Sequence, residues 1–507
     1  MNRASTTDKP APGEATAYRK SLIICTLRVA MLAATAALLS GCIILLDEGS
    51  SGSSMGSGAN MGGEPSPGTS IPPADRLPAP DVWRIEPPVL DAEAQKRLEE
   101  VEQFVAAQYQ AAGWQILGTT QSFLGDLYDW IDPNTVEGSQ EEPPPPPTVE
   151  EMHLPEGVQL QLTELDAFPE LRGPENTIPV LRPSFWVYVL GLSGATSLED
   201  FLNTVVAPGA PSTPYDPNRL YAGMISRVEN QGASVSINAY AAPIEPFTMS
   251  VLEMIVGCRN AQDEMWQYIG IAASRDYATS GFPNFFDWQL RLQVEFFSAG
   301  SGVVGQGKGG WAGTRSVTDF VPRDGAPYGP GTAFAPQTVS TVGGVQYESI
   351  YHIRRFAGSN GDINWWVGHN GHWLGYYPGR LFGDGAMNLL ASNACEVHWY
   401  GEVYDDPVKS MPDWTWTDMG SGQFASEGWG KAAYFRNPVY FDAAGNTSWP
   451  PSDPTLTFDI PQNLYNPNCY TKTELFSGAA PWNLFFYASG PGNEFYEACN
   501  GPIPPQP

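Results

Sequence analysis

Beyond residue 150 the chain is written in short runs whose residues alternate in character: SVSINAY (234–240), LRLQVEFF (290–297), SIYHIRRF (349–356) and EVHWYGEVY (396–404). Glycine, proline, asparagine and aspartate break these runs at intervals of roughly ten residues. Successive side chains of a strand point to opposite faces, so such runs bury one face against a second layer and leave the other for a different use. With 53 glycines and 47 prolines among 507 residues, and almost no helical periodicity in this region, the pattern predicts a mainly β chain built as an antiparallel β-sandwich or barrel. SLEDFLNTVV (197–206) is the exception and predicts a short helix.

The N-terminus follows other rules. Arg19, Lys20 and Arg28 precede an apolar run from Val29 to Leu39, too short to span a bilayer, which ends in Leu39-Ser40-Gly41-Cys42. Small residues before a cysteine resemble a bacterial lipobox, so residues 1–41 are expected to be a signal peptide and Cys42 the lipidated first residue of the mature chain. Residues 42–85, dominated by Gly, Ser, Met and Pro, cannot build a core and read as a flexible tether. An exported, lipid-anchored protein follows, and Ile43 in place of an aspartate points to the outer membrane or cell surface. A net charge of −29 would repel phosphates and excludes nucleic acid as a partner. Of six cysteines, Cys25 leaves with the signal peptide and Cys42 takes lipid, so Cys258, Cys395, Cys469 and Cys499 remain for up to two disulfides in an oxidising compartment.

Residues 86–136 predict a small helix-plus-hairpin segment. Leu98, Val101, Val105 and Tyr109 recur at helical spacing between a capping Asp91 and a terminating Gly113. A hairpin follows, turning at Gly125-Asp126 and closing with Leu127 to Ile131 before Pro133. Residues 137–150 form an acidic polyproline spacer with no means of burying surface. A lead-in segment, 151–212, then leads to the main domain, 213–507.

The chemistry concentrates between Asn364 and Asn437, where Trp365, Trp366, Trp373, Tyr376, Tyr377 and Trp399 stand among glycines near Glu402. Indole and phenol faces suit proline rings, so these aromatics are candidate substrate-binding walls, with core packing as the alternative for half of them. His369, His372 and His398 hint at metal, but His369-x-x-His372 falls in a Gly/Asn turn with no helix to order a ligand pair. No metal or cofactor is therefore expected. Ser421 in Gly420-Ser421-Gly422 lacks the spacing of a nucleophile elbow.

The same region resembles the neprosin family, glutamic peptidases that cleave after proline. The similarity runs in family order through GPENTIPVLRPS (173–184), LYAG (220–223), GASVSINAYAAPIE (232–245), PGTAFAPQTVSTVGGVQYE (330–348) and NWWVGHNGHWLGYYPGRLF (364–382). It continues through GEVY (401–404), MGSGQF (419–424), GKAAYFRN (430–437), NPNCY (466–470) and FFYASGPG with its following Cys499. TTQSFLGDLYDWIDP (119–133) also resembles the activation peptide preceding such domains. The resemblance implies a pair of carboxyl groups that activates water without metal or covalent nucleophile, and it assigns Glu402 as one of them. For the first glutamate, anchoring on Gly270 puts Tyr268 at the catalytic position, whereas anchoring on Trp266-Gln267 gives Glu264; Glu264 is the expected catalytic partner of Glu402, with Glu295 as the alternative. It further implies a Cys469–Cys499 disulfide and a proline-containing polypeptide substrate. The competing reading is a catalytically inactive member of the fold that binds Pro-rich peptides or glycans at the cell surface.

Overall fold

The structure is a computed structural model. It describes residues 89–122, 126–146, 160–163, 173–191, 194–202, 219–242, 244, 248–259, 266–277, 286–299, 307–311, 318–359, 361–383, 390–405, 417–450, 457–458, 469–478 and 482–492. The chain divides into two compact units, Met1–Asp75 and Arg76–Pro507. The first, with the expected signal peptide, Cys25 and Cys42, lies outside the described residues, as do the rest of the tether, Glu264 and Cys499.

The second unit begins with helix α1 (Ala92–Ala112) and strands β1 (Ile116–Gln121), β2 (Leu127–Ile131), β3 (Leu160–Leu162) and β4 (Ile178–Leu181), then short helices α2 (Trp186–Val189) and α3 (Leu198–Phe201). Next come β5 (Arg219–Ser226), β6 (Gly232–Asn238), β7 (Thr248–Arg259), β8 (Trp266–Tyr277), β9 (Phe286–Ala299), β10 (Gly307–Trp311), β11 (Val321–Pro322), β12 (Gln346–Ala357), β13 (Ile363–His369) and β14 (His372–Pro378). The last are β15 (Glu396–Asp405), β16 (Tyr434–Phe441), β17 (Thr447–Ser448), β18 (Thr457–Phe458), β19 (Thr471–Lys472), β20 (Phe476–Ser477) and β21 (Leu484–Ser489).

Among the described residues β1, β2 and β4 form a small three-stranded sheet, and the other strands make an antiparallel β-sandwich. One sheet is seven-stranded, in the order β10-β9-β8-β7-β15-β5-β18. The larger is built on β11-β14-β13-β12-β6-β16-β21-β19. Alternation decides what lies between them. Leu220, Ala222 and Met224 of β5, Leu252, Met254 and Val256 of β7, Ile269, Ile271 and Ala273 of β8, and Val397, Trp399 and Val403 of β15 share one face of the seven-stranded sheet. They pack in one core with Val235 and Ile237 of β6, Tyr351 and Ile353 of β12, and Trp365 and Val367 of β13.

The outer face of the larger sheet is covered by the N-terminal segment. Asp91 caps α1 by accepting from the amides of Glu93 and Ala94 at 3.0 and 2.8 Å, and Gly113 ends the helix with φ +74°. Its buried stripe of Ala94, Val101, Val105 and Tyr109 joins Ile131 of β2, Ile178 of β4, Phe185, Phe201 and three residues of the sandwich, Trp366, Trp373 and Tyr376, in a second core. The polyproline spacer departs from expectation here. Although it has few apolar side chains to bury, its polar groups dock: Trp373 donates from its indole to the Pro144 carbonyl at 2.8 Å, and Asn364 and the Ser359 amide donate to Glu141 at 2.9 and 3.2 Å.

Candidate active site

The face of the seven-stranded sheet turned away from the core carries the other half of each alternating run. Register places Glu402 of β15 opposite Val251 of β7, Tyr400 opposite Glu253, and Gly270 of β8 opposite Glu295 of β9. On a shared face, Glu402, Glu253 and Glu295 therefore follow a diagonal, each one rung along the sheet from the last, with Glu253 in the middle. All three are buried, at 4, 3 and 8% exposure, unusual for carboxyl groups in a sheet without cations to match them one for one.

Their partners are specific. Arg219, from the start of β5, forms an ion pair with Glu402 through Nη1 and lies over the Tyr404 ring, 5.2 Å from its centroid. Glu253 shares a hydrogen bond with Glu402 and receives another from Tyr400. Glu295 receives hydrogen bonds from Tyr268 and from Gln293, the latter at 3.4 Å. Gly270 makes the space for Glu295: a Cβ there would come within 3.1 Å of its Cγ and 3.2 Å of its Oε1. Burial, then the charges of Glu402 and Glu295, push Glu253 well above the usual carboxylate range. Burial followed by the Glu402 charge raises Glu295 to about 7, against the opposing pull of Arg219 and the hydrogen bonds from Tyr268 and Gln293.

Rings wall one end of this face. Tyr221 meets Tyr400 edge-on at 5.1 Å, and Tyr268 stacks on Phe297 at 5.7 Å. Ile225 and Ile255 complete that apolar patch. Along β15, His398 and Glu396 continue the face toward Arg259, which donates to Glu396 at 2.8 Å. At the β9 side, buried Arg291 binds Asp126 at 2.8 Å, so the turn of the N-terminal β1–β2 hairpin reaches the same face.

Glu402 and Glu295 thus share one face, with β7 and β8 between their strands, and the Glu402 charge acts on Glu295. Tyr268 shares their face and hydrogen-bonds the Glu295 carboxyl. The expected aromatic walls are not there, and this is a correction. Trp399 points into the core between the sheets because its place in β15 is opposite to that of Glu402, and Trp365 and Tyr377, paired across β13 and β14 of the other sheet, pack in the same core. Trp366, Trp373 and Tyr376 lie on the outer face of the other sheet beneath α1 and its neighbours. The histidines also find structural roles: His369 and His372 flank a two-residue turn at Asn370 and Gly371, both with positive φ. His369 is buried and hydrogen-bonds the Tyr328 hydroxyl at 2.8 Å, while burial lowers its pKa to about 3. Ser421 hydrogen-bonds Ser489 at 3.0 Å.

Glu253 and Arg219 were missed by the sequence reading. A signal existed for the first: Glu253 is the sole charge between Thr248 and Cys258, in a strand apolar enough to be buried on both faces. Cys258 and Cys395 form a disulfide, a pairing left open by sequence. Cys469 is also disulfide-bonded, with its expected partner outside the described residues.

Residues 316–491 match the family model described as Neprosin. Among solved structures, one similar chain is scytalido-glutamic peptidase with a transition state analog inhibitor, 8% identical, covering 54% of this chain and 98% of that one with a TM-score of 0.26. Another is the κ-carrageenase from Pseudoalteromonas carrageenovora in complex with an oligotetrasaccharide of κ-carrageenan, 10% identical, covering 36% of this chain and 67% of that one with a TM-score of 0.17.

Proposed function

We propose that the chain is an exported, surface-tethered endopeptidase hydrolysing peptide bonds beside proline with paired carboxyl groups, and the match of residues 316–491 to the Neprosin family model supports a peptidase-like protein. The observation that carries this reading is that Glu402 and Glu295 are both buried on one sheet face and act on each other electrostatically, with Arg219 paired to the first. Glu402, ionised in its pair with Arg219, takes a proton from water as the water oxygen attacks the scissile carbonyl carbon. Glu295 gives its proton to the carbonyl oxygen. As the tetrahedral intermediate collapses, protonated Glu402 passes its proton to the departing nitrogen and Glu295 recovers its own.

The pH dependence follows from the acid. Glu295 must hold its proton, and with its pKa raised to about 7 that proton is present in acid and lost as pH rises through neutrality. Turnover of a quenched proline-containing peptide should therefore persist from the acidic range up to about pH 7 and fall above it. A profile that instead collapses in the ordinary carboxyl range, near pH 4 to 5, would remove Glu295 from the acid role. Absence of turnover at every pH, with a folded protein that binds Pro-rich peptide or glycan, would favour the binding protein that Tyr268, at the family's first glutamate position, suggests.

The spacer offers a second test. Its proline run from Pro143 to Pro147 joins the N-terminal segment to the domain, and the β1–β2 turn sits on Arg291 of the catalytic face. Incubation of the full chain in acid is expected to cut it within that run and release the segment. Sequencing that finds the run always intact would leave the segment a permanent part of the protein.

A further inference from the structure

The diagonal contains one carboxyl group more than the reaction needs. Glu253 lies between Glu402 and Glu295, hydrogen-bonds the first, accepts from Tyr400, and is 3% exposed. The groups facing it are Tyr400 and Glu402 from β15, Tyr268 from β8, Glu295 from β9, and Arg219 and Tyr221 from β5. Arg219 is the cation in that set, while Arg291 of β9, on the same face one rung away, is held by Asp126. Three carboxyls around the single guanidinium of Arg219 are tolerable with one carboxylate and two acids, since a second buried carboxylate charge would cost several kcal/mol.

We propose that Glu253 is the positioning residue of this site, a neutral carboxylic acid that donates its proton in a hydrogen bond to Glu402 and, together with Arg219, fixes the orientation of the Glu402 carboxylate. The site then works with three carboxyl groups carrying two protons, in place of a pair sharing one. Tyr400 donates to Glu253 and Glu253 donates to Glu402, so the donors run in one direction toward the base. Without Glu253, the Glu402 side chain keeps its ion pair but loses the contact that sets its torsion, and a misplacement of about 1 Å at a reacting group costs on the order of a hundredfold in rate. Burial and then the Glu402 carboxylate hold the Glu253 proton in place well above the usual range, which agrees with a donor role.

The catalytic part of this inference rests on the peptidase reading, and the protonation part does not, so the experiment has two arms. In the full chain, Glu253→Gln keeps an N–H donor and is expected to lose no more than about tenfold in kcat, whereas Glu253→Ala is expected to lose about a hundredfold, both with KM little changed. Below neutral pH, the infrared C=O stretch of protonated carboxyl groups, which stands apart from the amide bands, should lose one component in Glu253→Gln and a different one in Glu295→Gln. Equal loss of turnover in the Gln and Ala variants would overturn the positioning role by making Glu253 a catalytic group. Full turnover in a folded Ala variant would overturn it by making the contact dispensable. An infrared band unchanged by Glu253→Gln would show the residue ionised and sink the proposal, even if the wild-type chain cleaves no peptide.

Discussion

Glu402→Gln is expected to lower kcat by about 10²–10⁴-fold at every pH, with little change in KM. Gln has the same size and can still fill the space between Tyr221, Val251 and Arg219, so substrate binding on that face should survive. What disappears is the only group of the three that is paired with a cation and so ready to accept a proton from water. The substitution also removes the charge partner of Arg219, which keeps its place over the Tyr404 ring and is partly exposed, so the added stability cost falls below the roughly 3–5 kcal/mol of a fully buried pair. Rate and stability must therefore be read separately, with kcat measured well below the unfolding midpoint of the variant. Retention of more than about a tenth of wild-type turnover would place the base elsewhere. Glu295→Gln removes the proposed acid and should show a comparable loss without stranding a cation, so the two variants differ in stability more than in rate.

The same face explains what could be read in advance and what could not. Period-two runs such as EVHWYGEVY state which residues share a side: His398, Tyr400 and Glu402 on one, Val397, Trp399 and Val403 on the other. That was enough for strands, a sandwich and Glu402. It does not state which sides are covered. Trp366, Trp373 and Tyr376 alternate like cleft walls, yet their side is closed by α1, a helix more than two hundred residues earlier in the chain. Covering of this kind depends on tertiary packing and leaves no local pattern. Glu253 was hidden for a related reason, because a strand buried on both faces reads as one apolar run and a single carboxyl in it looks like an interruption. Arg219 stands at a strand start after a stretch with no periodicity, and its pairing with Glu402 is set by register across β5 and β15.

The Cys258–Cys395 disulfide ties the ends of β7 and β15, the strands that carry Glu253 and Glu402, and closes a separation of 137 residues. Loop-closure entropy for a link of that span is about 5 kcal/mol, although measured values commonly fall between about 2 and 4. Against a net stability of roughly 5–15 kcal/mol for an ordinary domain, this is a large share. Cys395→Ser is expected to lower the unfolding free energy by about 2–5 kcal/mol, seen as a lower urea midpoint, and because reductant also opens the Cys469 disulfide, fully reduced wild type and fully reduced variant should converge on one common midpoint. The effect on catalysis should be far smaller. Cys395 donates its amide to Gly257 at one end of the ladder, whereas Glu402 lies seven residues further along the chain, held on both sides by paired strands β5 and β7. Fraying from the disulfide end loosens Glu396 and Arg259 first and reaches Glu402 last. A variant with wild-type kcat and a lowered midpoint would place the bond in the scaffold. If kcat instead fell in step with stability, the carboxyl diagonal would depend on that end of the ladder, and the three glutamates would be held in place by tension across β7 rather than by their own hydrogen bonds.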